Sequence, residues 1–401
     1  MTMRRRSLLL IPLLLIPAGC RGDSGDEQSR DAARDTTEPL HVVEVDPSVY
    51  GNPRQRLTPE QLEQGRLDRG WQRFVQLDSV APGPPIDFPE RWEDISPEVM
   101  SEVPMVLPLF GDIAGPSVVR LQVALDRALF SPGVIDGRWG MNTEKAVYWL
   151  QRREGLAATG RVDSATWRRL VEVSGVRDFT RKHALSAADV EGPFVTIPED
   201  IYEQAELDCA CYESLSEKLA ERFHTTPQLL ALLNPGVPLD SLRAGQSIVV
   251  LDVRRPDAPP LGPVVSLVVS DGGFYLHALD ASGRILAHFP ATLGADYAPS
   301  PQGRFTVTAI APNPTWHYQP DLLTGVNDWE EEAVIPPGPN NAVGVVWMQL
   351  ATEHYGIHGT SAPETIGYAT SHGCVRLTNW DAYYLSRQLR PGVPVHFRDV
   401  S

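Results

Sequence analysis

The sequence predicts a multidomain chain that ends in a mainly-β domain with one packed helix, preceded by a small three-helix domain and a two-helix unit. Three observations predict it. The 401 residues are too many for one ordinary core, and 42% apolar content suits globular domains. Apolar residues recur at helical spacing through residues 113–173 but with a period of two from Val264 onward. Proline (36) and glycine (32) are abundant, as turns, linkers and short strands require. The formal net charge of −16 excludes nucleic-acid binding driven by counterion release, and an anionic bilayer would repel such a surface. Any membrane attachment must therefore be apolar or covalent.

Residues 1–20 supply such an attachment. Arg4, Arg5 and Arg6 form a basic start, and Leu8 to Ile16 an apolar stretch too short to span a bilayer. Pro17-Ala18-Gly19-Cys20 resembles the lipobox of bacterial lipoproteins, with Pro17 where the family usually has leucine. The resemblance implies lipidation of Cys20 and a lipid-anchored protein of the cell envelope, on its periplasmic or outer face. A secretory signal cut nearby is the alternative, and it too implies export. Residues 21–112 read as a tether and an irregular region. The first twenty of these are charged and poor in apolar groups, whereas Thr58-Pro59-Glu60-Gln61 has the form of a helix start.

Residues 113–173 are more regular. Leu121, Ala124, Leu125 and Ala128 give one helix; Thr143 caps a second with Ala146, Val147 and Leu150; Asp163 caps a third through Trp167, Leu170 and Val171. With the glycine-rich turn Asp136-Gly137-Arg138-Trp139-Gly140, this stretch resembles the three-helix peptidoglycan-binding domain of wall enzymes, which implies peptidoglycan as a partner. Residues 190–253 predict a strand near Tyr212, a helix holding Leu219, Ala220 and Phe223, a second helix ending at Asn234, and a closing strand at Ile248-Val249-Val250. They resemble a degenerate lysin-motif unit without its Gly-Asp-Thr turn, either glycan-binding or a spacer. Arg254-Arg255-Pro256 opens a proline-rich, extended linker.

The last domain spans 264–398. Strands are expected at 264–269, 273–279, 284–289, 303–310, 343–350, 355–358 and 394–397, with turns at Asp271-Gly272 and Ser282-Gly283 and one amphipathic helix from Trp380 to Leu389.

Its chemistry is concentrated in His358-Gly359-Thr360 and, after twelve intervening residues, Ser371-His372-Gly373-Cys374-Val375-Arg376. A thiol that transfers acyl groups needs a base or cation to ionise it, donors for the oxyanion, and access. His358, His372 and Arg376 are the candidate neighbours, and Gly373 lets backbone N–H groups approach the oxyanion, each worth about 3 kcal/mol. These residues match the active-site motif of L,D-transpeptidases. Ser300-Pro301-Gln302-Gly303-Arg304-Phe305 resembles the family's Thr-Pro-x-Gly-x-Phe segment, and Gly338-Pro339-Asn340-Asn341 the segment lining its cleft.

The resemblance implies Cys374 as nucleophile and His358 as general base, oriented by the Gly359 carbonyl. It places the N–H groups of His372, Gly373 and Cys374 in the oxyanion hole, with Arg376 near the thiolate or a substrate carboxylate. Tyr355, Thr360 and Ser371 become cleft residues. The implied reaction forms a thioester with a peptidoglycan tetrapeptide stem and passes it to an amine for 3→3 cross-linking or protein anchoring; water as acceptor would make a carboxypeptidase. No metal or organic cofactor is implied. Two other classes compete: a zinc peptidase using His354, His358, His372 and Cys374, and a non-catalytic wall-binding lipoprotein. A bridge between Cys209 and Cys211 would span a strained two-residue step, and two cysteines alone make a poor metal site, so neither is given a function.

Overall fold

The computed structural model describes residues 41–46, 88–255, 258, 262–272, 274–323 and 329–398. The signal segment with Cys20, the charged tether and the helix expected after Thr58 lie outside the described residues.

The helical module comprises Pro116–Arg127, Met141–Glu154 and Ser164–Ser174. Asp163 caps the third helix by accepting from the Thr166 N–H at 2.7 Å, and Gly175 ends it with φ 60°. The second helix begins at Met141, not at Thr143. The Thr143 hydroxyl instead accepts from Gln122 Nε2 at 3.2 Å, tying the first two helices together. Residues 88–112 are not the irregular region expected. A helix at Pro97–Glu102 and a strand at Met105–Leu107, paired with Val42–Glu44, bury Ile95, Met100, Met105 and Leu107 in the module's core. Prolines interrupt the backbone ladder there, and the buried Arg120 guanidinium donates to the carbonyls of Met100, Pro104 and Val99.

The two-helix unit opens earlier than expected. Thr180–Ala184 pairs antiparallel with Ser247–Leu251, and the helices Leu215–Arg222 and Pro227–Leu232 lie between them. The opening strand reads Thr-Arg-Lys-His-Ala and shows no apolar alternation; its partner supplies the buried Ile248, Val250 and Leu251. The intervening segment carries a Cys209–Cys211 disulfide.

Eight strands form the main sheet, in the order Val375–Arg376, Gly356–His358, Val346–Leu350, Gly303–Pro312, Pro394–Arg398, Ser266–Ser270, Tyr275–Leu279 and Ile285–Pro290. Leu267, Val269, Leu276, Phe289, Met348, Ile357 and Val375 form its core. The helix expected to be amphipathic is Asn379–Ser386, and it is buried on nearly every side. The helical units cover the face a lone domain would leave to water. Trp380 stacks on His224 with ring centroids 5.0 Å apart, and Asp381 accepts from Ser131 Oγ at 2.6 Å and Arg254 Nη2 at 2.7 Å. Arg254 is therefore no part of an extended linker. It is buried between Asp381 and Asp126, whose Oδ2 accepts from the Arg254 N–H at 2.7 Å. Burial alone would neutralise such charges; Asp126 and Asp381 overcome it and keep the guanidinium charged. The described residues from Pro39 onward belong to one compact unit.

Candidate active site

The sheet edge brings the expected site residues together. Gly356–His358 is flanked by Val346–Leu350, with Trp347 opposite His358, and by Val375–Arg376, with Arg376 opposite His358. Side chains alternate between faces, so His358, Trp347 and Arg376 share one face; Cys374 lies in the bend that leads into Val375–Arg376. Cys374 is half-buried and is the free cysteine among the described residues.

His358 is 3% exposed. Its ring stacks on Trp347 at 5.3 Å between centroids, and Nδ1 donates to the Gly359 carbonyl at 2.6 Å. Burial, with help from the Arg376 charge and against the Gly359 hydrogen bond, lowers its pKa to about 3. The imidazole is thus neutral at ordinary pH. With the proton on Nδ1, the lone pair is on Nε2.

The thiol is also protonated. Burial raises the Cys374 pKa, and a hydrogen bond from the Gly356 N–H and the Arg376 charge offset this only in part. Sγ donates to the His354 carbonyl at 3.5 Å. The sequence points to a thiolate held by a neighbouring cation. The folded site instead holds a neutral thiol and a neutral imidazole: at the thiol burial outweighs the Arg376 charge, and at the imidazole burial and that charge act together.

The turn before Cys374 is built by Ser371. Its hydroxyl donates to the Cys374 carbonyl at 2.6 Å and accepts from the Gly373 N–H at 3.1 Å. That N–H, expected in the oxyanion hole, is therefore committed within the turn. Gly373 has φ 110°, and a Cβ there would lie 2.5 Å from Tyr355 Cε1. Tyr355 thus covers the turn and dictates a glycine beneath it. His372 packs edge-on against the exposed Tyr297, with centroids 5.8 Å apart. Thr360 is buried and caps a turn by accepting from the Ala362 N–H at 3.2 Å. The Arg376 backbone pairs with Thr292, and its Nε is buried without a hydrogen-bond partner.

The zinc alternative needs His354 and His358 on one strand face. The strand begins at Gly356, and His354 lies in the preceding turn, exposed and with φ 62°. Among the described residues, no three His, Cys, Asp or Glu side chains are grouped to hold a metal ion. The Gly338–Asn341 segment is covered by the two-helix unit: Asn340 N donates to the Ala210 carbonyl at 2.9 Å, and Asn340 Nδ2 to the Cys211 carbonyl at 3.1 Å. Of two residues beside the base, the sequence reads Trp347 as strand core rather than cleft lining and does not single out Asn379, which looks like an ordinary first residue of a helix. The two glycines facing Asn379, Gly344 and Gly359, are the only local trace of it, since a Cβ on either would lie 2.1 Å from its Oδ1.

A family model for the L,D-transpeptidase catalytic domain matches residues 265–397, and one for a peptidoglycan binding domain matches residues 114–170. A Bacillus licheniformis protein named for L,D-transpeptidase activity (YkuD) is 32% identical over 179 residues, covering 45% of this chain and 90% of its own. Its Bacillus subtilis namesake is 29% identical over 177 residues, covering 44% and 89%. A solved L,D-transpeptidase from Xylanimonas cellulosilytica is 17% identical with a TM-score of 0.32, covering 79% of this chain and 100% of that one.

Proposed function

The chain belongs to the L,D-transpeptidase family, and from that premise we propose that Cys374 is its nucleophile and His358 its general base. The enzyme is an L,D-transpeptidase with a peptidoglycan-binding module, and its partner is peptidoglycan. The observation that supports the residue roles is His358 held by the Gly359 carbonyl at 2.6 Å, on the strand that pairs with Val375–Arg376 directly after Cys374.

A neutral pair fits general-base attack rather than a stored thiolate. As Sγ attacks the carbonyl of the third stem residue, His358 Nε2 takes the thiol proton. The carbonyl becomes a tetrahedral oxyanion, for which the N–H groups of His372 and Cys374 are the proposed donors. Collapse breaks the bond to the terminal D-alanine, whose amine leaves with the proton from His358, and the acyl group remains as a thioester on Cys374. The acceptor amine then attacks the thioester, His358 takes its proton, and the departing sulfur recovers it as the amide forms. Arg376 opposes imidazolium formation and favours sulfur anion, so its charge is best suited to the sulfur and to a substrate carboxylate. A second stem is the proposed acceptor, giving a 3→3 cross-link; a protein amine would give wall anchoring. The basic start, the apolar stretch and the small residues before Cys20 support a lipid-anchored enzyme of the envelope.

Intact-mass analysis of protein from residue 21 with a purified tetrapeptide stem tests the assignment. The expected product is a stem lacking D-alanine, bound to Cys374, absent in Cys374→Ala and unaffected by chelation. An adduct that survives Cys374→Ala would end it.

A further inference from the structure

The catalytic domain as the family model bounds it, 265–397, does not contain every group that holds the proposed base in place. Gly359 accepts from His358 Nδ1 through its carbonyl. That carbonyl and the Thr360 N–H belong to a single planar peptide group, so whatever holds the N–H end also orients the carbonyl end. The Thr360 N–H donates to Asn379 Oδ1 at 3.1 Å, and the same oxygen accepts from the Val345 N–H at 3.2 Å. Contact is close enough that neither Gly344 nor Gly359 has room for a Cβ.

Asn379 is itself held from outside the domain. Its Nδ2 donates to both carboxylate oxygens of Glu221, at 3.2 and 3.1 Å, and to the Pro339 carbonyl at 3.1 Å. Glu221 lies on the Leu215–Arg222 helix of the two-helix unit, 158 residues away in sequence. It also accepts from the Tyr212 hydroxyl at 2.8 Å, which holds it from the far side. An amide can turn over and exchange its oxygen for its nitrogen at little cost; the Glu221 carboxylate, together with the Pro339 carbonyl, holds Nδ2 and keeps Oδ1 on Thr360.

We infer that Glu221 is a positioning residue for the reaction: through Asn379 and the Gly359–Thr360 peptide it keeps the proton of His358 on Nδ1 and the lone pair on Nε2. The two-helix unit is thereby part of the active-site scaffold rather than a spacer. This inference rests on His358 being the base.

Three substitutions separate its parts. Glu221→Gln keeps an acceptor at the same reach without the charge. Glu221→Asp keeps the charge but withdraws it by one methylene, and Glu221→Met fills the space without an acceptor. In purified full-length protein, Glu221→Gln is expected to keep kcat within about threefold of wild type. Glu221→Asp and Glu221→Met are expected to lose about tenfold or more in kcat with KM for the stem peptide unchanged within twofold. Nitrogen-15 NMR of His358 is expected to show loss of the pure Nδ1–H tautomer in the same two variants. If Glu221→Met does not fold, Glu221→Asp decides. Wild-type kcat in either folded variant would overturn the inference, as would a fall in kcat that leaves the His358 tautomer unchanged. His358→Gln is the control for the reading beneath it: an active His358→Gln removes the base assignment itself, whatever Glu221 does.

Discussion

Two pairs of buried groups in the catalytic sheet show how little burial alone accomplishes. His277 and His288 face each other on neighbouring strands, with His277 Nε2 2.9 Å from His288 Nδ1. Burial lowers His277 to about 3 and His288 well below its ordinary value, as it lowers His358 to about 3. All three are neutral imidazoles, and each packs near an aromatic ring: Trp149 lies 4.6 Å from His277, Tyr275 5.7 Å from His288 and Trp347 5.3 Å from His358. The difference is in the second nitrogen. His277 and His288 bond to each other, and His288 Nε2 is sealed in the core without a partner. His358 has its Nδ1 fixed by a backbone carbonyl, on the strand that pairs with Val375–Arg376 directly after Cys374. A low pKa makes a histidine neutral; an anchored Nδ1 leaves the Nε2 lone pair as the one ring site able to take a proton.

The largest effect expected from that contrast comes from His358→Gln, which should lower kcat by about 10²–10⁴-fold and leave the melting temperature near wild type. His277→Gln should do the reverse, lowering the melting temperature while sparing turnover per folded molecule. Turnover corrected for folded fraction, beside calorimetry, reads both; equal losses of activity would erase the distinction between the pairs.

Gly359→Ala attacks the anchor without touching the imidazole. Its Cβ would lie 2.1 Å from Asn379 Oδ1, so the peptide that holds Nδ1 must shift. We expect kcat to fall by about tenfold or more, since small displacements of a reacting group are costly. A turnover assay with the stem peptide checks this.

The pH dependence of stability carries opposite signs at the two ends of the chain of contacts. His358 and His277 have folded values of about 3, below the ordinary 6.5 of a free imidazole, so their contribution is complete above 6.5 and is lost as pH falls towards about 3. Burial first of all, with Glu217 nearby, raises Glu221 from 4.5 to about 7. Its contribution is complete below 4.5 and is lost as pH rises through about 7. Denaturant titrations across this range should show the alkaline loss disappear in Glu221→Gln and the acid loss shrink in His277→Gln.

The smallest effect concerns the Cys209–Cys211 bridge. It closes a very short loop, and the contacts of that loop to the Gly338–Asn341 segment run through the Ala210 and Cys211 backbone. Replacing both cysteines by serine should cost about 1–2 kcal/mol of stability and change kcat less than twofold.

The reacting groups were legible because their chemistry demands neighbours in sequence. Ser371, Gly373, Cys374 and Arg376 must share one turn and one strand, and the strands of the sheet carry a two-residue apolar period. Glu221 and Asn379 were not legible. They meet across 158 positions, and each looks like an ordinary polar residue of its helix. Arg254 and Asp381 escaped for a related reason: a charged residue beside prolines reads as linker until its buried partners are known. The opening strand Thr180–Ala184 has no apolar alternation to announce it, and the prolines before Gly111 conceal a segment that the Arg120 guanidinium holds in the core.

The most direct test of the neutral pair is the rate at which iodoacetamide alkylates Cys374 as a function of pH, in protein from residue 21 with the Cys209–Cys211 bridge intact. A buried, protonated thiol predicts a second-order rate that is slow near neutrality and rises through a pKa above the ordinary thiol range. A rate already at its plateau below pH 7, on the order expected for a stored thiolate, would contradict the account and replace the general base with an ion pair.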